Sequence, residues 1–344
     1  MFFKDNSILR KYEKHKFKFQ KYIYIYVKGI YNKNINERIC ERNKYMKAYI
    51  TDIQRFSLRD GDGIRTTVFL KGCNMKCPWC HNPETIGKEP DLMFYKDKCI
   101  GCGKCFEVCP LGAHKTENNQ HIIDRNICTN CGKCAEVCYA QALKMCGKAM
   151  TAQEVMLEVR QDLPYYKNSG GGVTVSGGEV LCNKEFTLEL AKMCKAENIH
   201  FAIESNISFP YEYCEELFKA CDLVMCDIKI FDDEKHKAFT GVSNKNVLEN
   251  VKLLDKLGVP VIVRTPLIPD ATDSIENLIA IASYIKDMKN LVRYEILDFN
   301  PLGEGKYRGL DKENKYIDAR PEKKDKLSAI GEEISKLGVT VKII

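Results

Sequence analysis

The stretch "GCNMKCPWCHNPE", residues 72–84, sets Cys73, Cys77 and Cys80 at C-x3-C-x2-C spacing, and no fourth cysteine follows at a matching interval. Three thiolates around a four-iron cluster leave one iron without a protein ligand. An open position on a metal centre is where a small molecule binds. The competing reading is a zinc site completed by His81, which is disfavoured because a histidine directly after Cys80 closes a tetrahedron awkwardly. An open cluster needs a pocket, so the rest of the chain is read for one.

Strand-like runs alternate with helix-length segments along the chain: residues 65–72, 171–177, 200–205, 222–229, 260–265 and 291–299, with amphipathic stretches at Lys184–Glu197, Asn246–Leu257 and Ser274–Met288. Six strands in βα alternation predict a parallel sheet curled as a partial (β/α)6 barrel, since such units are right-handed and bury both sheet faces. Polar residues sit at the carboxyl ends of these strands: the cysteine loop, Ser176–Glu179, Glu204 and Ser205, Asp227 and Lys229, Arg264, and Asn300. That is the end where barrels of this kind place their active sites. Gly177 and Gly178 would let a ligand approach the backbone, and Glu179 would accept from a cationic amine.

Two further cysteine runs precede most of these strands. Cys99, Cys102, Cys105 and Cys109 form C-x2-C-x2-C-x3-C followed by Pro110; Cys128, Cys131, Cys134 and Cys138 repeat it, with Tyr139 in place of the proline. A zinc ribbon uses paired C-x2-C knuckles separated by a longer span. Successive x2 spacings followed by x3 fit [4Fe-4S] clusters, and the fourth cysteine of each run ligates the other cluster. The expected sets are Cys99, Cys102, Cys105, Cys138 and Cys128, Cys131, Cys134, Cys109, in an insertion over residues 90–148 between barrel segments 46–89 and 149–344. The remaining cysteines are scattered and read as small buried side chains.

The length of 344 residues suits one large domain carrying a smaller module. The net charge of +6 comes from the first 45 residues, which hold 12 Lys and Arg against 4 Asp and Glu; the rest carries 41 against 43, or −2. That balance disfavours nucleic-acid binding by the body. The leader has no apolar stretch able to cross a bilayer and no signal-peptide pattern, so no membrane partner and a cytoplasmic location are expected. Because alternation begins after Met46, residues 1–45 read as a disordered extension or a stretch upstream of the natural start. Eighteen cysteines without a secretory signal fit metal ligation in a reducing compartment.

The three-cysteine loop with Trp79, the S-G-G-E of Ser176–Glu179 and the D-x-K of Asp227–Lys229 resemble the radical S-adenosylmethionine enzymes. More narrowly, "DGDGIRTTVFLKGC" (60–73), "CHNPE" (80–84), "FTGVSNKNVLENVKLL" (239–254) and "LGEGKY" (302–307) resemble activating enzymes of glycyl radical enzymes, in the long form with a ferredoxin-like insertion. The resemblance implies S-adenosylmethionine bound at a cluster on Cys73, Cys77 and Cys80, two ferredoxin-type clusters, and a glycyl radical enzyme as protein substrate. It implies an electron donor such as flavodoxin or ferredoxin. Trp79, Cys80, His81, Gly177, Gly178, Glu179, Asp227, Ile228, Lys229 and Asn300 would contact the cofactor, with Asp227 and Lys229 beside the chemistry. Glu204, Ser205, Met225 and Asp227 match a monovalent-cation site in relatives. The chain departs from the pattern at Asp62 and Val180, where proline is usual, and at Asn300, where histidine is usual. An amide there hydrogen bonds but does not titrate near neutrality.

Readings outside this activity are a plain iron–sulfur electron carrier, a peptide-modifying radical enzyme, and a zinc-dependent nucleic-acid binder. The second places auxiliary clusters after the barrel, whereas the last cysteine here is Cys226.

Overall fold

A computed structural model describes residues 46–344, and the expectations for residues 1–45 lie outside the described residues. The strands are β1 (Lys47–Ser57), β2 (Arg65–Leu70), β3 (Asp91–Phe94), β4 (His114–Glu117), β5 (Gln120–Ile123), β6 (Leu143–Cys146), β7 (Lys148–Thr151), β8 (Gly172–Gly177), β9 (His200–Ser205), β10 (Leu223–Asp227), β11 (Val261–Pro266), β12 (Leu291–Leu297) and β13 (Val341–Ile343). Short helices α1 (Lys104–Val108) and α2 (Lys133–Glu136) lie in the insertion. Along the barrel come α3 (Ala152–Val159), α4 (Leu163–Ser169), α5 (Lys184–Ala196), α6 (Tyr211–Ala220), α7 (Asp233–Thr240), α8 (Lys245–Leu257), α9 (Ile275–Ile285), α10 (Glu304–Gly309) and α11 (Lys324–Ser335).

The six expected strands pair in parallel in the order β2, β8, β9, β10, β11, β12. The runs of β2, β8, β10 and β11 are buried almost throughout, as parallel strands covered on both faces must be, whereas β12 enters the core only at Tyr294–Ile296. The sheet is larger than the six-strand expectation. β13 adds in parallel to β12, while β1 pairs antiparallel with β2 and β7 antiparallel with β1, giving nine strands. The helices lay apolar stripes on its outer face: α8 buries Val247, Val251 and Leu254, one turn apart. α3 opens on a capping box in which Thr151 Oγ1 accepts from Glu154 N and Glu154 accepts from Thr151 N.

The insertion leaves and rejoins the barrel through the antiparallel pair β3 and β6. Lys148 pairs with Ile50 in the main sheet, one residue earlier than the expected boundary. The duplication read in the cysteine runs repeats in the backbone. Gly103 and Gly132 occupy the same left-handed position before α1 and α2; Asn130 takes the left-handed role of Gly101, and Gln141 that of Gly112. Tyr139, the departure from proline, is 86% exposed. Arg125 ties the insertion to the barrel's C-terminal segment, donating to Leu92 O, Gly309 O and Asp311.

Inside the barrel, a chain of charges crosses the strands. Register places Arg264 on β11 opposite Glu295 on β12. Its guanidinium donates to Glu295 Oε2 and Glu204 Oε1, each at 2.8 Å, and to Arg59 O in the β1–β2 loop. Glu295 also accepts from Arg293, which reaches Asp62. The residue standing in place of proline thus anchors the β1–β2 loop to β12.

Replacing Arg264 by leucine removes the guanidinium that pairs with Glu204 and leaves Glu295 with Arg293 alone. Loss of one partner from a buried ion pair costs about 3–5 kcal/mol, and urea unfolding of Arg264→Leu should show a decrease of that order. Elsewhere, Asp162 joins β1 to β2 by accepting from Arg55 and from Thr66 Oγ1. Burial pushes its carboxyl up, but these bonds outweigh burial and hold it below the ordinary value of 3.8. A carboxyl depressed in the folded state stabilises above its unfolded pKa and loses that contribution as pH falls through the folded one. Asp162→Asn should therefore weaken the acid dependence of unfolding below about pH 4 and leave its slope near neutrality unchanged.

Candidate active site

β2 ends at Leu70, and the chain turns into the three-cysteine loop across the carboxyl end of the sheet. That loop is clamped by backbone bonds to β8's exit: Gly178 N donates to Leu70 O at 2.9 Å, and Glu179 N to Gly72 O at 2.8 Å. Gly72 N in turn reaches Thr85 O, and Cys73 N reaches Ile86 O. A Cβ at Gly178 would lie 2.3 Å from Gly72 O, and one at Gly177 2.5 Å from Leu70 N, with φ of +104°. The paired glycines are needed for loop-on-loop contact, a stronger reason than ligand approach, though both also line the cavity.

A cavity of about 950 Å³ opens over these strand ends. Its walls include Cys73, Cys77, Trp79, Cys80 and His81 from the loop, Ser176–Gly178, Glu204–Asn206, Asp227, Lys229, Arg264 and Asn300. Trp79 is wedged among Ile230, Ile268, Ala271 and Phe239. The His81 ring packs on the turn at Asn300–Gly303, with Gly303 Cβ space 3.3 Å from its Cδ2. Asn300 caps that turn, its Oδ1 accepting from Leu302 N. An amide suits this capping role.

Two expected contacts fall elsewhere. Glu179 is completely buried outside the cavity lining, with one oxygen accepting from Leu181 N and Ser205 Oγ and the other from Asn206 N. It fixes β9's exit, with both oxygens engaged by these donors. Burial pushes its carboxyl up to about 7. Ile228 is fully buried on the far side of its strand, its backbone tied to Arg264 O and Thr265. It follows the alternation of a strand, which puts Asp227 and Lys229 in the cavity and the residue between them outside it.

The electrostatics are organised around pairs. Lys229 Nζ lies 2.6 Å from Asp227 Oδ2. Burial alone would lower the lysine, but Asp227 and Cys77 raise it above its ordinary range. Glu204, pushed up by burial and pulled down further by Arg264 and Ser176 Oγ, is an anion. Both carboxylates of the expected cation set therefore have protein counter-charges, and the Met225 side chain packs in the core with Ala202, Leu223 and Ile262.

Burial pushes all three loop thiols up, Cys80 to about 12. Thiolates are unfavourable in such a place unless a cation joins them, which is the environment a thiolate-ligated iron cluster requires. The donor set is soft sulfur, the cavity lies directly beside it, and His81 faces the 300–303 turn instead of completing a zinc site. These residues fit a cluster with an accessible iron.

Two further contacts carry no signal in the sequence pattern. Lys306, in "LGEGKY", donates to Asn82 Oδ1 and Glu84 Oε1 at 2.6 and 2.7 Å, joining α10 to "CHNPE" across more than two hundred residues. In the insertion, His114 and His121 gather beside Cys105, all three donor atoms within 4.8 Å. Burial lowers both histidines, His114 to about 4.

Comparison with known proteins agrees with this geometry. The radical SAM superfamily model matches residues 126–282, a 4Fe-4S dicluster domain matches 91–139, and a 4Fe-4S single cluster domain matches 59–109. The chain is 40% identical over 306 residues to the benzylsuccinate synthase activating enzyme of Thauera aromatica, covering 86% of this chain and 92% of that one. It is 40% identical over 283 residues to the 4-hydroxyphenylacetate decarboxylase activating enzyme of Clostridioides difficile, covering 80% and 89%. In fold it is similar to a radical SAM methyltransferase from Sphaerobacter thermophilus, with a TM-score of 0.50 at 11% identity over 92% of this chain and 82% of that one. The chain belongs to the glycyl radical enzyme activating enzymes of the radical SAM superfamily, oxidoreductases that abstract hydrogen from a backbone glycine of a partner enzyme.

Proposed function

We propose that Cys73, Cys77 and Cys80 hold the catalytic [4Fe-4S] cluster and that S-adenosylmethionine occupies the cavity above it. The observation carrying this reading is that the three thiols, the Gly177–Gly178 turn and the Asp227–Lys229 pair line one cavity at the carboxyl ends of the strands. When bound, the two groups supply one-electron cleavage of the sulfonium and a radical able to take hydrogen from glycine.

The protein's own contribution is placement and exclusion. Trp79 and the His81 ring wall the loop side of the cavity. Asp227 presents a carboxylate whose charge is held by Lys229, suited to a cationic cofactor. Gly177 and Gly178 line the same wall of the cavity without a side chain to fill it. The loop is held by its β8 clamp and by the Lys306 bridge to Glu84, which fixes where its three sulfur donors stand. With Lys229 and Arg264 beside Asp227 and Glu204, a monovalent cation would enter only by displacing one of them.

The finer reading assigns two ferredoxin-type clusters to Cys99, Cys102, Cys105, Cys138 and to Cys128, Cys131, Cys134, Cys109, making three clusters per chain. A flavodoxin or ferredoxin would deliver electrons to them in the cytoplasm. The fourth cysteine of the first run supports this crosswise reading, since Cys109 lines one small cavity with Cys128, Cys131 and Cys134.

Anaerobically reconstituted protein should hold about twelve irons per chain, and Cys80→Ala about eight. The reduced protein, mixed with S-adenosylmethionine and a glycyl radical enzyme from a neighbouring gene, should give 5'-deoxyadenosine and a glycine-centred paramagnetic doublet. Cys80→Ala should give neither. Retention of the doublet in that variant, or an unchanged iron content, would refute the cluster assignment.

A further inference from the structure

We propose that His121 tunes the first ferredoxin-type cluster by donating its Nδ1–H to the Cys99 thiolate, in a tautomer fixed by His114, so that the two ferredoxin-type clusters have unequal reduction potentials. This rests on the reading that Cys99, Cys102, Cys105 and Cys138 hold a cluster.

The two halves of the insertion are near copies, so a difference between them stands out. Both fourth cysteines accept from a backbone N–H four or five residues on: Ala113 N to Cys109 Sγ at 3.2 Å, and Leu143 N to Cys138 Sγ at 3.4 Å. Under crosswise ligation these bonds give one such donor to each cluster. The β4–β5 hairpin breaks the symmetry. It carries His121 to 3.7 Å from Cys99 Sγ through Nδ1 and to 3.9 Å from Cys105 Sγ through Nε2. Among the described residues, the matching side-chain contact in the second half is Cys128 Sγ to Asn130 Oδ1 at 3.8 Å, and that oxygen is an acceptor.

A ligating thiolate offers no proton, so a neutral His121 bonded to Cys99 must carry its hydrogen on Nδ1. Its Nε2 is then an acceptor. His114 Nδ1 stands 2.9 Å from that atom and supplies the donor. The ring is held in this orientation by Phe94 and Phe106, whose centroids lie 4.4 and 5.0 Å away. A hydrogen bond to cluster sulfur stabilises the more negative, reduced state and raises the potential. The Cys99 cluster is therefore the more easily reduced of the pair.

Redox titration of the holoenzyme, followed by electron paramagnetic resonance, tests this. His121→Leu should move one ferredoxin-type reduction wave to lower potential and leave the other clusters in place. His121→Gln, which keeps an N–H donor, should lie between that variant and wild type, and His114→Leu should shift the same wave by less. Unchanged potentials, or an equal shift of all waves at full iron content, would overturn the proposal. Should His121→Leu fail to hold iron, pulsed resonance of reduced wild-type protein with ¹⁵N-labelled histidine should show nitrogen coupling in one ferredoxin-type signal, and its absence refutes the bond. Metal analysis separates this from failure of the underlying reading: one zinc per chain lost together with Cys105, His114 or His121, in place of iron, would remove the cluster itself.

Discussion

The constraint on which the site depends is the contact between two backbones at the carboxyl end of the sheet. Gly178 lies so close to Gly72 that a methyl group would sit 2.3 Å from its carbonyl oxygen. The two exits, one leading into the cysteine loop and the other into the Glu179 turn, share amides and carbonyls as though the strands continued beyond their ends. This holds Cys73 at a fixed height above the sheet. Any side chain between the exits would lift the loop and with it the first of the three sulfur donors.

From that clamp, rigidity spreads by charge. Glu179 spends both oxygens on β9's exit, and Glu204 is held between Ser176 and Arg264. Arg264 continues to Glu295 and Arg293, and Arg293 to Asp62 on the β1–β2 loop. A buried ion network of this length contributes little net stability, because desolvation offsets most of the attraction. Its effect is to specify where each strand end sits, a property useful to an enzyme that must confine a reactive species.

The insertion contributes a second kind of order. Its two halves repeat the same left-handed positions with Gly, Asn or Gln, whichever residue tolerates the conformation locally. It meets the barrel through Arg125 and through β3, whose alternation sends Leu92 and Phe94 into the cysteine-rich core and Met93 against Cys146 and Leu310 beside the cavity. One short strand therefore separates the iron-binding module from the active-site chamber.

Much of this was legible in the chain itself. Ligand spacing is local: three or four cysteines within a dozen residues declare the metal chemistry before any fold exists, and apolar periodicity placed the six parallel strands within a residue or two at most ends. What lay beyond the sequence is what depends on residues far apart. Glu179 follows the paired glycines in the motif, but its oxygens accept from Leu181, Ser205 and Asn206, outside the cavity; Ile228 stands between two cavity residues, but strand alternation buries it in the core. β13, only three residues long, has too little pattern to announce itself and exists because β12 offers it an edge. The Lys306 bridge to Glu84 and the His121 approach to Cys99 likewise arise only when the chain has folded. Sequence alone determined which chemistry the protein carries, since covalent neighbours fix ligand type and spacing. Tertiary structure decided which polar groups remain free to touch a ligand, since that depends on partners brought together through space.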